Sequence, residues 1–561
     1  MGRNLAVKRT DFKGECMRNS VAACLAATFI SSLLCHAAAS DSASTPTATP
    51  IKHIVVIFDE NVSFDHYFAT YPNALNLPNE TPFKALSGTP RVNGLSGPLL
   101  EHNPNFLNVK VNQSNAANPF RLGPAQAATA DQNHGYQEEE LAFHRGLMDS
   151  FPQYTGLPAL ATQKLHTQSM VGAPPEYLHQ TKGLVMGYFD GNTVTALWNY
   201  AQRYALNDNS YGSTFGQSTQ GAIELISGQT NGVTDQINAA SFLVAAGNGT
   251  FTEIADGDPI GDKCSNTAWG QLRYTGNNIG QMLSKHSVTW GWFEAGFDLT
   301  KTNPKNGTTG CSRSTMSEVT QVLSADYIPH HEPFQYYTPT ANLLHTRPVS
   351  VQMIGKEGDP ANHQYDTDDF FATLKAGNFP SVSFVKAPAY QDGHAGYSDP
   401  LDEQKFVVTV INFLERQREW KNTAVIVAYD DSDGWYDHQM GPIINPSTSK
   451  SDGLTGPGQC GDGVTALPGP GVDHAQGRCG YGPRLPLLVI SPFAKRNYVD
   501  HSLTDQTSIL RFIEDNWLNG ERVGSGSFDA IAGSINEMFD FSHPDTKPYI
   551  LDESTGQVLQ Q

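Results

Sequence analysis

Several things are scarce in this 561-residue sequence, and each scarcity excludes something. Seven cysteines occur and none stands in a Cys-x-x-Cys arrangement, so zinc-finger and thioredoxin-type sites are excluded. Positive charge is thin: 36 Lys and Arg face 56 Asp and Glu, a formal net charge of −20. Such a surface repels nucleic acid and anionic membrane, so an anionic substrate has to be drawn in locally by a metal, a helix N-terminus or histidines. After the first forty residues no apolar run approaches the roughly 18 residues of a membrane helix. Gly-x-Ser-x-Gly, Walker A and His-Glu-x-x-His are missing too, which removes the usual signatures of α/β-hydrolases, P-loop enzymes and zincins. No internal repeat of fixed period occurs.

What is present begins with an address label. Arg3, Lys8, Arg9, Lys13 and Arg18 precede an apolar run from Val21 to Cys35, and Ala37-Ala38-Ala39 offers small residues for cleavage. Residues 1–39 therefore read as a secretory signal peptide, with a periplasmic or secreted product. Bulky Leu34 before Cys35 argues against lipidation, and Lys8-Arg9 is not a twin arginine. Cys264, Cys311, Cys460 and Cys479 remain after cleavage, an even number for an oxidising compartment. Of three possible pairings, nearness in sequence favours Cys264–Cys311 and Cys460–Cys479. Residues 40–50, SDSASTPTATP, read as a disordered linker. One domain is expected over 51–545, followed by a tail at 546–561.

Short Val- and Ile-rich runs punctuate that domain: IVVIF (54–58), SVTWGWF (287–293), SVSFV (381–385), AVIVAY (424–429) and LPLLVIS (485–491). Continuous rather than alternating hydrophobicity predicts strands buried on both faces, as in a parallel sheet covered by helices. Helical periodicity appears over 402–420, with Phe406, Val410, Phe413 and Leu414 on one stripe, and over 193–206. The fold class expected is an α/β sandwich. The Gly-, Asn- and Pro-rich stretches 75–130, 230–280 and 440–480 read as long loops or insertions.

Two of the buried runs end in bursts of acid. IVVIF leads into Asp59-Glu60-Asn61 and AVIVAY into Asp430-Asp431-Ser432-Asp433. Either cluster alone reads as turn-forming residues at a strand end. In a parallel sheet both would sit on the ligand-binding edge, where carboxylates repel unless a cation lies among them. Glu60, Asn61, Asp430 and Asp431 would supply oxygen ligands for one divalent metal ion, without choosing among Mg, Ca, Mn and Zn. Further along, Gly216-Gln217-Ser218-Thr219 precedes an apolar periodic run, placing Ser218 or Thr219 at a helix N-terminus. There an ordinary cap and an anion site are both possible. His134, His330, His331, His394 and His438 stand beside Gly, Pro or acidic residues, as functional loop histidines do.

Taken in order, DENVSFDHYF, DQNHGY, STFGQSTQGAIELISGQT, HHEPFQYY, GHAGYSDP, YDDSDGWYDH and GPRLPLLVISPFAK resemble the secreted bacterial phosphoesterase family. That family joins phospholipases C with acid phosphatases in the alkaline-phosphatase-like superfamily. The resemblance runs from about residue 51 to FDFSHP at 539–544. It implies an alkaline-phosphatase-like sandwich with a mostly parallel central sheet and a single metal-centred site. Glu60, Asn61, Asp430 and Asp431 match the metal-binding pairs, and Ser218 matches a nucleophile that is also a metal ligand. His134, His331 and His394 match site histidines that hold phosphate oxygens or assist the leaving group, with His330 the rival of His331. Val62 and Gln217 depart from the Glu-Asn-Arg-Ser-Phe-Asp and Gly-Pro-Ser forms common in relatives.

The implied chemistry is attack by Ser218, a phosphoserine, and its release by water. Phospholipases of the family often carry extra C-terminal β-rich domains, and this chain stops soon after FDFSHP. On that ground the expected function is a broad-specificity acid phosphatase acting on small phosphate esters. The alternative is a phospholipase C acting on phospholipid head groups, and a non-catalytic secreted binding protein comes last.

Overall fold

The computed structural model describes residues 46–158, 181–462, 469 and 475–561. The signal-peptide reading at 1–39 and the linker up to residue 45 lie outside the described residues. The five buried runs all become strands of one eight-stranded sheet. In chain order these strands are β1 (His53–Asp59), β2 (Ala205–Asn207), β3 (Trp290–Glu294), β4 (Gln364–Tyr365), β5 (Val382–Lys386), β6 (Thr423–Tyr429), β7 (Leu487–Ile490) and β8 (Tyr498–Asp500). Across the sheet the order is β4-β3-β5-β1-β6-β7-β2-β8. Only β7 runs antiparallel to its neighbours, so the sheet is mostly parallel, as the continuous hydrophobicity predicts.

Strand β1 explains why such runs lack alternation. Val55 and Ile57 enter the core on one face, and Ile54, Val56 and Phe58 enter it on the other, all fully buried. Each such side chain contributes about 1.5–3 kcal/mol by leaving water. Helices α1 (Thr195–Arg203), α3 (Thr367–Lys375) and α4 (Pro400–Glu415) cover the first face, and α2 (Ser218–Ser227) and α5 (Thr507–Trp517) the second. Asp399 caps α4 by accepting from the backbone N–H groups of Leu401 and Asp402, slightly upstream of the predicted start.

Elsewhere the fold departs from the sequence expectations. The helix expected over 193–206 stops at Arg203, because Ala205–Asn207 is claimed by the sheet between β7 and β8. Tertiary pairing outweighs helical periodicity there. The 230–280 stretch is an insertion with structure of its own, a five-stranded sheet that includes Asn231–Ile237 and Gln271–Tyr274. Linker residues 46–50 are tied down, since Thr49 N–H donates to Asn516 Oδ1 at 2.9 Å. Within 546–561, Tyr549 and Leu551 belong to the core against α4. Both favoured disulfides, Cys264–Cys311 and Cys460–Cys479, are formed. Among the described residues no helix is long and apolar enough to cross a membrane.

Candidate active site

Strands β1 and β6 are parallel neighbours in register, with Asp59 opposite Tyr429, so their acidic turns leave the same sheet edge side by side. The turns are laced together. Asn61 N–H donates to Asp430 Oδ1 at 2.9 Å and Val62 N–H to the Asp431 carbonyl at 2.9 Å. Asn61 adopts a left-handed backbone (φ 61°), which asparagine tolerates better than most residues and which turns its side chain across the edge. Its Nδ2 donates to Asp433 Oδ1 at 3.2 Å.

Helix α2 delivers Ser218 to this edge as its first residue. The Ser218 Oγ lies 3.0 Å from Glu60 Oε2, 3.1 Å from Asp431 Oδ2 and 3.3 Å from Asn61 Oδ1. Gly221 permits this closeness. A Cβ there would fall 2.6 Å from the carbonyl carbon of Asp430 and 2.8 Å from its Cα, well inside ordinary contact. Glu139 braces the arrangement from the side, accepting from Gly216 N–H at 3.0 Å and from Ser432 Oγ at 2.8 Å.

The electrostatics are those of crowded, dry carboxylates. Burial, then Glu60, pushes Asp430 up to about 8, and burial, then Asp430, holds Asp431 well above the usual carboxylate range. Asp430 Oδ2 and Asp433 Oδ2 are buried without a hydrogen-bond partner. Unpaired buried carboxylate oxygens are costly, and a cation among them removes that cost.

The histidines divide by neighbour. His331 Nδ1 is 3.1 Å from Glu60 Oε1, and burial followed by Lys386 keeps the imidazole well below its ordinary pKa. His330 points elsewhere: its Nδ1 is 3.3 Å from Asp258 Oδ1 in the inserted sheet. Burial opposes its charge, but Asp256 and Asp258 raise it to about 9. His134 Nδ1 is 3.2 Å from Asp433 Oδ1; burial disfavours its charge, yet Asp431 and Asp433 raise its pKa well above normal. His394 is lowered by burial and stacks on Tyr397, with ring centroids 4.3 Å apart; its ring centroid is 6.1 Å from that of His134. His438 belongs to a separate buried ion cluster with Asp65, Asp437 and Arg484.

Sequence reasoning passed over Lys386, Asp392 and Glu139 at this edge, and gave Asp433, noted in the second acidic burst, no role of its own. Lys386, the last residue of β5, makes an ion contact with Glu60 Oε1. Asp392 lies beside it, Asp433 joins Asn61 to His134, and Glu139 ties two loops. Lys386 follows the buried run SVSFV, but its meaning depends on β5 lying beside β1.

A mostly parallel α/β sheet whose carboxyl edge gathers carboxylates and histidines around one helix-borne serine is the architecture of an enzyme-like, cation-ready centre. The chain belongs to the Phosphoesterase family, whose profile it matches over residues 51–518. It is similar to the non-hemolytic phospholipase C of Pseudomonas aeruginosa, with 23% identity over 504 residues, 89% of this chain and 58% of that protein. It is also similar to the non-hemolytic phospholipase C of Burkholderia pseudomallei, 30% over 188 residues, 33% of this chain and 26% of that one. The phospholipase C A of Mycobacterium tuberculosis matches at 28% over 176 residues, 31% of this chain and 32% of that one. The chain thus spans less than two thirds of these relatives. Among solved structures, murine ectonucleotide pyrophosphatase/phosphodiesterase 5 matches with a TM-score of 0.28 and 13% identity, over 62% of this chain and 95% of that one. A Vibrio parahaemolyticus protein of the alkaline phosphatase superfamily matches with a TM-score of 0.28 and 10% identity, over 68% and 78%.

Proposed function

We propose that this chain hydrolyses phosphoric esters with Ser218 as nucleophile, and that its substrate is a phosphodiester of the phospholipase C kind. The observation that carries the reading is the Ser218 hydroxyl within 3.0–3.3 Å of three acceptor oxygens, those of Glu60, Asn61 and Asp431. One hydroxyl proton cannot serve three acceptors, whereas a cation can. Glu60, Asn61, Ser218, Asp430 and Asp431 form an all-oxygen donor set suited to one hard divalent ion, and the orphaned Asp430 Oδ2 fits that assignment. When bound, such an ion acts as a Lewis acid toward the hydroxyl and a phosphoryl oxygen.

Ser218 gives up its hydroxyl proton to solvent, its Oγ attacks phosphorus, the bond to the leaving alcohol breaks, and a phosphoserine diester forms. His134, kept protonated by Asp431 and Asp433, hydrogen-bonds a phosphoryl or leaving-group oxygen and can supply the alcohol's proton. Neutral His394 stands beside it. Neutral His331 orients Glu60 rather than the phosphate, a change from the role the resemblance implied for it. Water then releases the head-group phosphomonoester and restores Ser218.

The choice of diester over monoester reverses the first expectation of an acid phosphatase and is supported by the phospholipase C names of the relatives. Secretion to the periplasm or beyond is supported by the two disulfides and the leader. The test is turnover of an aryl phosphocholine diester against an aryl phosphate from pH 5 to 8. Preferential diester cleavage is expected. Preferential monoester cleavage returns the acid phosphatase, and turnover of neither returns a binding protein.

A further inference from the structure

The sheet edge holds more carboxylates than one ion needs. Asp59, Glu60, Asp392, Asp430 and Asp431 are all buried, and Asp59 has both side-chain oxygens without a hydrogen-bond partner. Glu60 divides its two oxygens between two environments. Oε2 meets Ser218 at 3.0 Å, whereas Oε1 faces away toward His331 Nδ1 and the Lys386 ammonium. On that second side Glu60, His331 and Asp392, all buried, each bring a ligand-type atom within 4.8 Å of the other two. Two carboxylates and one imidazole in this spacing are a common ligand set for a divalent metal.

This second cradle is already served by a cation. The Lys386 side chain is 2% exposed and its Nζ is in ion contact with Glu60 Oε1. Strand β5 lies directly beside β1, so the lysine is carried to this edge by the sheet and not by a movable loop. Lys386 is also the cation acting on Asp59 and Glu294, whose charge it favours.

We infer that the Lys386 ammonium stands where a second metal ion would otherwise bind, between Glu60, His331 and Asp392, and that it limits this centre to one ion. The inference rests on the reading of Glu60, Asn61, Ser218, Asp430 and Asp431 as a metal site. An ammonium on Glu60 Oε1 leaves Oε2 as the only free ligand atom of that carboxylate. It also supplies part of the charge that buried neighbours would otherwise seek from solution, and it repels a divalent ion placed beside it.

The experiment is metal counting on the intact chain. Wild type, Lys386→Ala and Lys386→Arg are equilibrated with Mn²⁺, desalted and analysed by plasma mass spectrometry and electron paramagnetic resonance. Wild type and Lys386→Arg are expected to hold one Mn²⁺ per chain with an uncoupled signal. Lys386→Ala is expected to hold two, with a spin-coupled signal. If Lys386→Ala does not fold, Lys386→Met keeps the packed stem and takes its place. A folded neutral variant that still holds one ion overturns the inference and leaves the functional reading intact. A wild type that holds two overturns it whatever the variants do. A wild type that cleaves phosphoesters while holding none overturns the functional reading and this one with it.

Discussion

Replacing Gly221 with alanine tests how tightly helix α2 must press on the end of strand β6. In an unconstrained helix interior the change is stabilising by about 0.8–1 kcal/mol, because glycine has more backbone freedom to lose. Here the new methyl would stand 2.6 Å from the Asp430 carbonyl carbon and 2.8 Å from its Cα, where ordinary contact begins near 3.4 Å. The obstacle is backbone, so it cannot rotate away. Helix α2 must retreat by about 1 Å, at a cost of about 1–3 kcal/mol for an overpacked core. The clash outweighs the gain in helix propensity, and the melting temperature is expected to fall by a few degrees. The retreat carries Ser218 with it, stretching its 3.0–3.3 Å contacts with Glu60, Asn61 and Asp431 beyond hydrogen-bond range. Misplacement on that scale costs on the order of 10²-fold in turnover, seen in kcat more than in KM. Calorimetry and steady-state hydrolysis of an aryl phosphocholine read both quantities. A Gly221→Ala protein with a raised melting temperature and full turnover refutes the claim that the Asp430 backbone sets the place of Ser218.

Ser218→Ala is expected to lower turnover by about 10³-fold or more with the fold intact, checked by single-turnover assay and circular dichroism; retained turnover removes the nucleophile assignment. His331→Ala is expected to lose about 10–100-fold in metal affinity or activity as Glu60 loses its orienting partner, while His330→Ala changes metal affinity little, both read by Mn²⁺ titration. In chelator, Asp430, pushed up to about 8 from an unfolded value of about 3.9, binds more protons folded than unfolded across that window. Its contribution is therefore present at low pH and lost as pH rises toward 8, so the stabilisation gained on adding metal, read as a melting-temperature shift, should be larger at pH 8 than at pH 5. Glu139→Ala leaves the buried Gly216 N–H without its acceptor and is expected to cost about 1–3 kcal/mol in urea denaturation; Glu139→Gln, which keeps an acceptor, should cost less.

The two acidic turns were legible in the sequence because a strand buried on both faces has no use for terminal carboxylates unless something opposes their charge. Ser218 was not legible by itself, since a serine opening a helix is an ordinary cap, and it stood out only through the family resemblance. The adjacent His330 and His331 could not be separated from sequence because one short turn, Pro329–His331, sets their rings 84° apart and sends them to different carboxylates. Lys386 was missed for a different reason. A single lysine after SVSFV means little until β5 is known to lie next to β1, and strand order is a property of the packed sheet rather than of any local window. Once that order is in hand the charges read consistently along the edge. The acids of β1 and β6 face Ser218 on one side of Glu60, and Lys386, from β5, lies with His331 on the other. The asymmetry of this edge lies in the sheet itself: Glu60 Oε2 meets the helix at Ser218, and Oε1 meets His331 and the Lys386 of β5.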